Sequence, residues 1–164
     1  LSLKNQIGVA SHLTNAGFVA WINNTSRDDA AIVKTFRKLG AVVFARTNQP
    51  QAGMHLETSN NIYGTTVNPR NRQLTAGGST GGEAALMGMN ASVLGIGGDI
   101  GGSIRIPAAF NGVSNKTPAV NASKILRTIL TKKRSSTASC PRPVASAASE
   151  LSSQRPATTP SPAL

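Results

Sequence analysis

The chain is poor in cysteine, histidine, acids and aromatics: one Cys, two His, six Asp and Glu, and 4% Phe, Trp and Tyr. A lone thiol, Cys140, cannot close an intrachain disulfide, which excludes the stapled secreted scaffolds and leads us to expect a cytoplasmic protein. His12 and His55 stand 43 residues apart, with Cys140 far beyond them, so no metal-ligand spacing is present and no metal is expected. No apolar run approaches the roughly 18 residues of a membrane span. The opening LSLKNQIGVASHL lacks the basic flank and cleavage site of a signal peptide. With so few acids the net charge reaches +11. Aromatics are not interleaved with that charge as base stacking requires, which argues against nucleic acid as the main partner.

What is present is unevenly spread. Residues 119–164 hold seven Lys and Arg against one acid, Glu150, together with five of the nine prolines. Apart from SKILRTILTKK, which reads as a basic amphipathic turn or two, Ser, Pro, Ala and Thr follow in low-complexity order. We therefore expect a folded core over 1–113 and a disordered basic tail over 114–164. The abrupt change after Val113 is the kind left by a frame shift or an unspliced intron, and the core is expected to be a fragment.

Within 1–113 the patterns alternate. Leu1, Leu3, Ile7 and Val9 suit a strand from whose opposite face Lys4 would leave. Residues 27–39 suit a helix capped by Thr25 or Ser26, with Ile32, Val33, Phe36 and Leu39 on one face and Gly40 closing it. Ala41–Ala45 reads as a buried strand, 81–92 as a second helix, Ser92–Ile96 as a further strand and SIRIPAAF as a third helix. Between them, 48–80 is long for a structureless loop and carries isolated apolar anchors, which marks it as functional. The order implies an α/β fold, a mixed sheet covered by helices.

Two Gly-Gly-Ser elements, AGGSTGGEAAL and GIGGDIGGSIRIPAAFNG, set Ser79 and Ser103 24 residues apart. Neither has the Lys of a phosphate-binding P-loop, and the dinucleotide fingerprint fails at Ile100. Consecutive glycines instead let successive N–H groups converge into a nest that can hold a negative oxygen, here beside the Ser103 hydroxyl. Such a hydroxyl needs a base. Lys4 is the candidate if burial makes it neutral, with Ser79 or Thr80 relaying the proton, and His55 is a weaker one. By spacing alone, two tight structural turns remain an equal reading.

Together with LSLKNQIGV, these elements strongly resemble the amidase signature family over residues 1 to about 113, most of all its fungal acetamidase-type branch. The resemblance implies a Ser–Ser–Lys triad: Ser103 as nucleophile, Ser79 as a bridging serine after a cis peptide, and Lys4 as general base. It further implies an oxyanion hole from the backbone of Ile100, Gly101, Gly102 and Ser103, substrate contact at Met54, and loop-orienting roles for Asp99 and Arg105. The implied substrate is a small-molecule amide, cleaved with no metal and no cofactor. Departures from the family pattern are Thr80 for a serine, Gly98 for a threonine, and Asn5 for an aspartate beside the lysine. The competing expectation is a non-catalytic fragment whose basic tail binds anionic partners such as nucleic acid.

Overall fold

The computed structural model describes residues 1–116 and 126–131. Its centre is a five-stranded mixed sheet in the spatial order Ala45–Thr47 (β2), Ser2–Lys4 (β1), Leu94–Asp99 (β7), Leu126–Thr131 (β9) and Ser114–Lys116 (β8). Strands β1 (Ser2–Lys4), β2 (Ala45–Thr47) and β7 (Leu94–Asp99) run parallel, with Lys4 opposite Thr47 and Ser2 opposite Gly95. Two two-stranded hairpins, β3 (Ser59–Asn60) with β4 (Gly64–Thr65) and β5 (Val67–Asn68) with β6 (Asn71–Thr75), give the long polar segment its structure.

The period-2 alternation of β1 divides the molecule. Leu3 points to one face, where it is fully buried with Ile7, Val9, Ile96 and Val33 of α1 (Ala31–Lys38). Ser2 and Lys4 point to the other, toward α2 (Gly81–Gly88). Helix α2 packs on α3 (Arg105–Asn111) through Ala84, Met87, Ile104, Ala108 and Val113. Each large aliphatic buried in these clusters contributes on the order of 1.5–3 kcal/mol. Close approach is possible because the facing positions are glycines: a Cβ on Gly82 would lie 2.5 Å from the Asn48 carbonyl oxygen, and one on Gly97 would lie 2.3 Å from the Thr80 methyl.

Several expectations shift. Helix α1 starts at Ala31 with no side-chain cap, because the capping groups are engaged elsewhere: Ser26 Oγ donates to the Asp28 carbonyl, and Asp29 accepts the Ala10 N–H. The strand expected at 41–45 lies at Ala45–Thr47, and that expected at 92–96 extends through Asp99. The disorder expected over 114–164 is corrected at two places. Strand β8 (Ser114–Lys116) and β9 (Leu126–Thr131) join the sheet, and β9 pairs antiparallel with β7 over six residues. The physical reason is that β-branched residues recur in LRTILT and β7 has a free edge to offer them. The remainder of the tail, including Cys140 and most of the basic residues, lies outside the described residues.

Candidate active site

Lys4 ends β1 with its side chain 1% exposed, and its Nζ donates a 2.6 Å hydrogen bond to Ser79 Oγ. Burial pulls the ammonium down from 10.5 to about 8, against the raising influence of the Asp99 and Glu83 carboxylates. The lysine is thus poised to lose its proton near neutrality, as a base requires. Asn5, which departs from the aspartate of the family pattern, accepts the N–H groups of Asn15 and Ala16 and anchors the following loop.

Ser79 sits just before α2, follows a cis peptide from Gly78, and is itself buried. Of the two hydroxyls considered as proton relays, Ser79 faces Lys4, whereas Thr80 Oγ1 donates to the Gly98 carbonyl. The Thr80 N–H donates to the Ser103 carbonyl at 3.0 Å, which ties the second Gly-Gly-Ser turn to the first. Ser103 is half-buried and lines a pocket of about 260 Å³ with Met54, His55, Leu56, Ile100 and Gly101. Gly53 joins this pocket to the lysine, since a Cβ there would lie 3.6 Å from Ser79 Oγ and 3.8 Å from Lys4 Nζ. Among the described residues no hydrogen bond joins the two serine hydroxyls. His55 Nδ1 accepts the Glu57 N–H, so the weaker candidate base is occupied within its own loop. A larger cavity of about 580 Å³ is lined by His12, Arg46 and Tyr63 among others and holds none of these residues.

The turn after β7 is organised by Asp99. Its carboxylate accepts the N–H groups of Gly102 (2.6 Å), Ile104 and Arg105, and it pairs with Arg105 Nε at 2.9 Å. Burial alone would push this carboxyl up, but Arg105 and the three N–H donors outweigh it and hold Asp99 well below the usual carboxylate range. One of the four expected nest amides, that of Gly102, is therefore turned toward Asp99. The amides of Ile100, Gly101 and Ser103 have no hydrogen-bond partner among the described residues. Gly102 has φ +116, a conformation that suits glycine and aims its N–H inward.

Sequence reasoning missed Glu83. In GGSTGGEAAL it reads as an ordinary acid at a helix start, yet it is 0% exposed and accepts hydrogen bonds of 2.6 Å from Ser2 Oγ and from Thr47 Oγ1. The signal available was that Glu83 is the sole polar side chain in GGEAALMG, so the helix has no polar face to carry it.

A family model described as Amidase matches residues 1–115. A putative amidase of Schizosaccharomyces pombe is 56% identical over 119 residues, covering 73% of this chain and 22% of the relative. An acetamidase of Emericella nidulans is 49% identical over 111 residues, 68% of this chain and 20% of the relative. A solved fatty acid amide hydrolase superposes with a TM-score of 0.73 at 36% identity, over 80% of this chain and 26% of that one. The chain thus spans about a fifth of the length of the curated relatives it matches.

Proposed function

The chain belongs to the amidase family, and from that membership we propose that residues 1–113 carry the reacting groups of an amide hydrolase acting through Lys4, Ser79 and Ser103. The observation that carries this reading is the buried 2.6 Å contact from Lys4 Nζ to Ser79 Oγ, whose chain neighbour Thr80 bonds to the Ser103 carbonyl. Neutral Lys4 takes the Ser79 proton as Ser79 takes that of Ser103, and Ser103 Oγ adds to the amide carbonyl carbon. The oxyanion that forms is received by the N–H groups of Ile100, Gly101 and Ser103, which have no partner among the described residues, while Asp99 and Gly102 hold the turn in shape. The proton returns through Ser79 to the leaving nitrogen, and the C–N bond breaks to give ammonia or an amine and an acyl-Ser103. Water then adds to the acyl carbon by the same relay and releases the carboxylic acid.

Small linear amides are the proposed substrates, on the likeness to the acetamidase of Emericella nidulans. Ammonia release from acetamide, compared in the unmodified chain and Ser103→Ala, tests the reading. A loss of at least about 100-fold is expected in the variant. Release that survives the substitution would remove Ser103 from the chemistry.

A further inference from the structure

The mechanism leaves one fully buried acid unused. Glu83 lies one helical turn beyond Ser79, and its two carboxylate oxygens reach different strands: Oε2 accepts from Ser2 on β1 and Oε1 from Thr47 on β2. Both partners bracket Lys4. Ser2 is two residues before it on the same face of β1, and Thr47 is its register neighbour on β2. The third strand makes room, because a Cβ on Gly95 would lie 2.3 Å from Glu83 Oε2. One carboxylate therefore sets the height and tilt of α2 above the two strands that carry and flank the lysine.

We propose that Glu83 is a positioning residue for the Lys4 base: clamped by Ser2 and Thr47, its carboxylate fixes α2 so that Ser79 Oγ meets Lys4 Nζ, and it lends the ammonium a buried counter-charge. This rests on the proposed role of Lys4. A merely structural clamp needs only hydrogen bonds, and a glutamine of the same shape supplies most of them. A counter-charge does not survive that exchange. Both hydroxyls donate to the carboxylate, which favours its ionised form, although burial pushes Glu83 up to about 7. The other carboxylate facing the pair is Asp99 from β7, which acts on Lys4.

The test follows the Lys4 13Cε resonance, in protein labelled at lysine, by NMR between pH 5 and 11. The expected curve for the unmodified chain has its main step near 8 and a smaller one near 7 as Glu83 titrates. Glu83→Gln should abolish the smaller step and lower the Lys4 midpoint by about 1 unit, whereas Glu83→Asp should retain most of the coupling. An unchanged midpoint in Glu83→Gln, with near-ultraviolet circular dichroism preserved, overturns the proposal. Should that variant fail to fold, the unmodified chain decides alone: a single Lys4 step with no inflection near 7 overturns it equally. Neither readout uses hydrolysis, so a failure of the proposed amidase chemistry would be seen separately, in the Ser103→Ala comparison.

Discussion

Lys4 and Glu83 are held in opposite discomfort, and both should write themselves into stability as a function of pH. Glu83 has a folded value of about 7 against an ordinary 4.5, so the folded state binds the extra proton between these and stability falls as pH rises through that window. Lys4 is lowered to about 8 from 10.5, so the unfolded state binds the extra proton above 8 and stability rises from there toward 10.5. Urea unfolding is therefore expected to show a stability minimum between about 7 and 8, each limb no steeper than about 1.4 kcal/mol per pH unit. Lys4→Met should erase the upper limb. A flat profile across this range would contradict the burial of both groups. At this scale the approach of Lys4 to Ser79 and the Asp99–Arg105 pair were legible, through motifs that match residue by residue. The commitment of the Gly102 amide to Asp99 was not, because spacing says which N–H groups are near one another and nothing about which way they turn.

Elements were legible in kind and displaced in extent. Apolar periodicity found α1, but Ser26 and Asp29 before it, both good cap types, bond to the Asp28 carbonyl and the Ala10 N–H instead, so the helix begins later than its signals. Helix α2 inverts the usual rule: its polar charge points inward and its glycines are the packing surface. Gly82→Ala should for that reason cost about 3 kcal/mol, since the new methyl meets the Asn48 backbone at 2.5 Å rather than a movable side chain. A thermal melt that differs by less than about 1 kcal/mol from the unmodified protein would show that α2 does not sit as close to the sheet as described. Strand β9 was illegible for a further reason. Its pairing partner β7 lies about 30 residues upstream, and the β-branched residues of LRTILT sit in a basic stretch amid low complexity that says nothing of that partner.

At the scale of the whole molecule, the mixed sheet and its helices follow from the sequence patterns, and the elements that carry the proposed reacting groups converge on one face of it. Lys4 comes from β1, Ser79 from the start of α2, and Ser103 from the turn between β7 and α3. Trp21, Leu39, Val42 and Phe44 are each at least half exposed, which is a large apolar surface for a chain spanning about a fifth of its curated relatives. A single acyl transfer tests the proposed triad without demanding efficient turnover from such a chain. The direct measurement is mass spectrometry of the protein after incubation with an activated aryl amide of acetic acid at a series of pH values. One acetyl group on the peptide containing Ser103 is expected, formed at a rate that rises with pH through about 8 and falls at least about 100-fold in Lys4→Met. Acetylation elsewhere in the chain, or at Ser103 with no dependence on Lys4, would contradict the account.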